Sequence, residues 1–271
     1  MTLHEHAAPK HYSRFIVLGD SFSEGIGDEV YPETGQYRGW ADRVADGLAR
    51  RDDNFTYLNL AVRGKLIRQV VEDQLPIALK HATEGNVLVS FHAGANDLLR
   101  PSYNHQVATA QYADAVRAVR ATGADLILFT VAEPPAGKGR TAERLAAKIA
   151  KFNQAVRSAA EASNAILIEA AHVEILKDRR FWDRDRLHLN GEGHRRVSIA
   201  VLQMVAYSTD SSWREELPPI KARSKVIAQI QDVRWFISFF LPWVWRRLRG
   251  RSSGDGRNSK QSEPTLWAVK I

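Results

Sequence analysis

Ser21, Asp185 and His188 are the residues of this chain whose types and spacing suit nucleophilic chemistry. Ser21 ends the apolar run Phe15-Ile-Val-Leu-Gly-Asp-Ser21, at the point where a strand would give way to a loop. A serine attacks an acyl carbon at neutral pH only with help. A base must take its proton, a third group must orient that base, and donors must meet the oxygen that becomes negative. Asp185-x-x-His188 offers the base and its orienting carboxylate, because a three-residue gap lets the carboxylate fold back onto the Nδ1–H of the imidazole. That leaves Nε2 free to face a serine. The Ser21 and Gly64 backbone N–H groups and the Asn96 side-chain amide are candidate oxyanion donors. A glycine suits position 64 because no Cβ stands between its backbone and a substrate. Taken alone, Gly19-Asp20-Ser21 reads equally well as a turn, since all three residues are turn formers.

Elements in alternation must bring these residues together. Apolar runs at 14–18, 56–60, 86–91, 125–130 and 165–168 read as strands, and amphipathic stretches at 39–50, 66–81, 105–122, 141–163 and 191–207 read as helices. Strands without polar alternation are covered on both faces, and strand and helix taking turns implies a parallel sheet wrapped by helices. Ligands of such sheets sit at the carboxyl ends of the strands. Ser21, Gly64 and Asn96 each follow a strand directly, and Asp185 and His188 lie beyond the fifth.

Gly19-Asp20-Ser21, Gly64 after Asn59-Leu60-Ala61, Gly94-x-Asn96-Asp97 and Asp185-x-x-His188 stand in the order of the SGNH (GDSL) hydrolase family, which residues 14–207 resemble. The resemblance implies a three-layer α/β/α sandwich of the flavodoxin-like kind. It also implies a serine hydrolase acting on a carboxylic ester: an esterase, acylhydrolase or deacetylase. By the same likeness Ser21, Asp185 and His188 form the catalytic triad, and Ser21, Gly64 and Asn96 form the oxyanion hole. No cofactor and no metal are expected. Acyl transfer to an alcohol uses the same triad and stays open. Phe22-Ser23 departs from the Leu-Thr often found after the serine in this family, which bears on the pocket rim.

The chain contains no cysteine, which excludes disulfides, thiolate zinc sites and cysteine nucleophiles. Its net charge of +7 invites a nucleic-acid reading until it is located. Residues 221–260 carry ten Lys/Arg against two Asp, a net +8, while residues 1–220 sum to about −1. The basicity belongs to the tail, so no nucleic-acid partner is expected, only a small-molecule ester. The chain divides into a disordered start (1–13), a hydrolase domain (14–210), a basic aromatic helical appendage (211–250) and a disordered tail (251–271). No apolar leader stands at residues 1–14, and a cytoplasmic location is expected. His92, Trp182, Tyr31, Tyr37 and Trp40 are candidates to line the pocket, and 134–139 to form a rim loop. Segment 226–251 has three readings: packing on the hydrolase domain, pairing with a second copy, or peripheral attachment to a membrane. The last makes a membrane- or polyanion-binding protein the alternative function. A chain ending at residue 220 is expected to stay folded and active.

Overall fold

The computed structural model of the chain describes residues 10–132, 139–171, 173–220, 232–242, 245 and 252–269. Five parallel strands form the centre: β1 (Arg14–Gly19), β2 (Thr56–Asn59), β3 (Val87–His92), β4 (Asp125–Phe129) and β5 (Ile166–Ile168). Successive strand residues point to opposite faces, and both faces are apolar. Ile16, Leu18, Leu58, Val89, Phe91, Leu126 and Leu128 enter one core; Phe15, Val17, Tyr57, Leu88, Ile127 and Phe129 enter the other. Each face therefore needs a layer of helices. The first is covered by α3 (Ile67–Asp73), α4 (Leu75–His81), α6 (His105–Ala121) and α7 (Arg140–Ser163), the second by α2 (Gly39–Ala49) and α8 (Gly191–Met204). This is the parallel sheet wrapped by helices that the alternation implied, and the α/β/α sandwich that the resemblance implied.

The strand order is β5-β4-β3-β1-β2, with a sixth strand, β6 (Gln261–Leu266), antiparallel on the β2 edge. The chain's path reverses between β1 and β3, so a crevice opens beyond their carboxyl ends. Ser21 leaves β1 there in the short α1 (Ser21–Glu24), and Asn96 leaves β3 in the short α5 (Ala95–Leu98).

Three expectations need correction. The helix read over 66–81 is two, broken at Gln74. Pro76 in the first turn of α4 cannot continue the preceding hydrogen-bond ladder, and the Gln74 side chain turns inward, exchanging bonds of 2.8 and 2.9 Å with the Gly19 backbone. Within the start read as disordered, Tyr12 is buried, its N–H donating to Tyr207 Oη and its own hydroxyl to Asp125.

The third correction is the largest. Residues 252–269, read as disordered, are built into the domain. Besides the pairing of β6, Trp267 is buried and donates from Nε1 to Asp46 at 2.9 Å. Lys260, its side chain 6% exposed, meets Asp42 at 2.7 Å and donates to the Tyr37 and Arg38 carbonyls. All three ammonium hydrogens thus have acceptors, which is the condition for burying a lysine. The rim loop read at 134–139 and most of 226–251 lie outside the described residues, apart from 139, 232–242 and 245. No helix among the described residues is long and apolar enough to cross a membrane.

Candidate active site

Ser21 stands at the first position of α1, capped by Asp20, whose Oδ1 accepts from the Phe22 N–H at 3.1 Å. The Gly25 and Ile26 N–H groups both donate to the Ser21 carbonyl, closing the turn behind it. The residue is half-buried. Gly19 makes the sharp exit from β1 possible, because a Cβ there would strike the His92 carbonyl and Ser23.

Asn96 ties the strand ends together. Its amide donates to Asp20 Oδ2 at 3.1 Å and to the Lys65 carbonyl at 3.2 Å. It thereby touches the residue before Ser21 and the residue after Gly64. Glu24 adds a second tie, accepting from the Arg63 backbone N–H at 2.6 Å and pairing with its guanidinium. Gly64 adopts φ +76°, which glycine tolerates and other residues rarely adopt. The space a Cβ would fill at Gly64 is taken by Ser252 Oγ from the C-terminal segment, which donates to the Gly64 carbonyl at 3.3 Å. The need for glycine is thus partly a matter of this packing, which the sequence does not reveal.

His188 and Asp185 lie on a tight loop between Trp182 and Leu189, which bridge as in a hairpin. Asp185 Oδ1 accepts from the Leu187 and His188 N–H groups at 2.9 and 3.0 Å, and Oδ2 lies 2.5 Å from His188 Nδ1. Burial pushes the Asp185 pKa up, but the bond to His188, its charge and the two backbone donors outweigh burial and hold it below the usual carboxylate range. An ionised carboxylate only accepts, so the Nδ1 that faces it carries a hydrogen. Trp235 Nε1 donates to the Asp185 carbonyl at 2.7 Å, bracing the loop from outside.

The structure therefore joins Asp185 to His188, and sets Asn96 between the Ser21 and Gly64 loops. It does not join Ser21 to His188: no hydrogen bond links them among the described residues. Glu24, Arg63 and Ser252 are site neighbours that motif reading missed, since their contacts cross long stretches of sequence.

The other candidates sort by burial. Trp40 is fully buried and packs with Phe129 and with half-buried Phe22, which also lies 4.7 Å from the His92 ring. His92 is buried beside Asp20, its Nδ1 3.5 Å from Oδ1. Tyr37, with Glu24, Arg63, Arg257 and Lys260, lines a polar cleft of about 240 Å³. His194 is a core residue, accepting from the Trp40 N–H and facing the Ile26 carbonyl; burial pushes its pKa down to about 4. No group of three His, Asp or Glu among the described residues could hold a metal ion.

Asp97 supports the loop rather than facing the crevice. Its Oδ2 accepts from the Ile67 N–H at 3.0 Å, while burial pushes its pKa up from 3.8 to about 6, with the Asp20 charge adding to the rise. A carboxyl that holds its proton more tightly when folded contributes stability below its unfolded pKa and loses it as pH rises through the folded one. Asp97→Asn keeps an acceptor for Ile67 and removes the charge. Urea midpoints should then favour the variant increasingly between about pH 4 and 6, by on the order of 2 kcal/mol at the upper end. An identical pH dependence in both proteins contradicts this placement.

The GDSL-like lipase/acylhydrolase family model matches residues 17–196. Among solved structures, the chain is similar to the psychrotrophic esterase EstA from Pseudoalteromonas sp., at 18% identity and a TM-score of 0.54 over 72% of this chain and 97% of that one. It is also similar to Axe2, an acetylxylan esterase from Geobacillus stearothermophilus, at 18% identity and a TM-score of 0.54 over 76% and 97%. TesA gives 20% identity and a TM-score of 0.57 over 71% and 97%. Likeness at such identity speaks for the fold. No curated protein matches the chain significantly.

Proposed function

The chain belongs to the GDSL-like lipase/acylhydrolase family and is an esterase of the SGNH kind, and on that premise we propose that it hydrolyses a small-molecule carboxylic ester with Ser21 as nucleophile, His188 as base and Asp185 as the group that orients the base. Ser21 Oγ adds to the ester carbonyl carbon and its proton passes to His188 Nε2. The carbonyl oxygen, now negative, is met by the Ser21 and Gly64 N–H groups and by the Asn96 amide, one of whose two long bonds gives way to it. Collapse breaks the bond to the alcohol, which leaves with the proton from Nε2. Water then attacks the acyl-serine, giving its proton to Nε2, and the acid departs as Oγ takes that proton back. The first transfer requires Oγ and Nε2 to come within about 3 Å.

The observation that carries this reading is the 2.5 Å contact of His188 Nδ1 with Asp185, which directs Nε2 away from its own loop. Asn96→Ala tests the oxyanion role. A donor acting mainly in the transition state lowers kcat more than it raises KM, and a loss of about 10²–10³ is expected. Steady-state kinetics on a p-nitrophenyl ester measures the split, and a change in KM alone makes Asn96 a ground-state binding residue instead.

A further inference from the structure

Exposed apolar side chains collect on one helical segment beside the His188 loop. Residues 232–242 are helical, with a π turn at Phe236–Phe240. Val233, Ile237 and Leu241, spaced four apart and so on one side of a helix, are 60%, 59% and 46% exposed, and Phe239 is 39% exposed. The first turn is tied to the domain. Asp232 pairs with Arg186 at 2.6 Å, Arg186 lies 4.9 Å over the Trp235 ring, and Trp235 holds the Asp185 carbonyl. The segment is thus tied to the His188 loop at its first turn, with apolar side chains exposed along the rest of it. Leu187, next to His188, is itself 48% exposed.

The sequence around the stripe says what would cover it. From 233 to 254 there is no acidic residue, while Arg234, Arg246, Arg247, Arg249 and Arg251 are basic and Trp235, Trp243 and Trp245 are interfacial in type. The chain's own domain leaves the stripe exposed, and a second copy would bring to it a second sequence of the same positive charge. An apolar stripe followed in sequence by arginines with no acidic residue among them is complementary to a bilayer surface: acyl chains for the stripe, anionic headgroups for the guanidinium groups.

We propose that the helical segment 233–242 docks the enzyme on an anionic lipid bilayer and sets the His188 loop against its surface. The docking does not rest on the catalytic reading above.

The test uses the full chain, its Ser21→Ala form and Val233→Glu/Ile237→Glu, sedimented with vesicles of phosphatidylglycerol and phosphatidylcholine or of phosphatidylcholine alone, at low and high salt. The full chain and Ser21→Ala should sediment with the anionic vesicles and release at high salt. The double variant should partition about 100-fold less while melting normally and hydrolysing a soluble short-chain ester as before. Failure of the full chain to sediment with anionic vesicles overturns the proposal. So does undiminished sedimentation of the double variant, or a dimer in solution that the double substitution dissociates while vesicle binding is absent. Because Ser21→Ala is sedimented too, loss of the catalytic assignment and loss of the docking are separate outcomes.

Discussion

Ser21→Ala loses ester hydrolysis by about 10⁶ in kcat and keeps its fold, and His188→Ala behaves alike. The size follows from residues that act as a unit: once the nucleophile or its base is gone, only substrate binding and the oxyanion donors remain. The fold survives because Ser21 is half-buried and its loop is held by others, namely the Asp20 cap on Phe22 N–H and the Gly25 and Ile26 donors to its carbonyl. None of these uses the hydroxyl. Kinetics on a p-nitrophenyl ester together with a thermal melt checks both halves. More than about a tenth of wild-type activity in folded Ser21→Ala contradicts the assignment.

Removing residues 252–271 is expected to cost the protein its stable fold, against the sequence-based expectation that a chain ending at 220 stays active. Three losses combine. Asp42, 1% exposed, would keep a buried carboxylate without the Lys260 ammonium, and breaking a buried pair from one side costs about 3–5 kcal/mol. Trp267 would leave a hole against Tyr57, whose ring it meets edge-on at 4.7 Å, worth roughly 3 kcal/mol more. The β2 edge would be bare, a template for aggregation. Their sum rivals the whole stability of an ordinary domain, about 5–15 kcal/mol. Circular dichroism melts and soluble yield measure the effect, with Lys260→Met as the single-residue version. A truncated chain that melts within a few degrees of the full one contradicts this account of the C-terminal segment.

What was legible in the sequence, and what was not, divides by range. β1 to β5 announce themselves as short apolar runs because each is covered on both faces. β6 does not: its Gln-Ser-Glu-Pro-Thr-Leu is polar and mostly exposed, and its pairing is supplied by a partner two hundred residues earlier. Ser252-Ser-Gly-Asp-Gly256 has the composition of disorder, yet an ordered tight turn uses the same residues. Asp185 and His188 were readable because three residues of local chain decide their contact. The residue types at Ser21, Gly64 and Asn96 were readable from strand-end position. The bonds of Asn96 to Asp20 and Lys65, the Glu24–Arg63 tie and the Ser252 hydroxyl over Gly64 depend on loops brought together by the sheet.

The central claim is that Ser21 is the nucleophile, and a fluorophosphonate adduct mapped by peptide mass spectrometry tests it most directly. The account predicts one adduct, on Ser21, with hydrolysis falling in proportion to labelling and no adduct on the folded Ser21→Ala protein. An adduct on another residue that tracks the loss of activity, or full activity in protein labelled at Ser21, contradicts it.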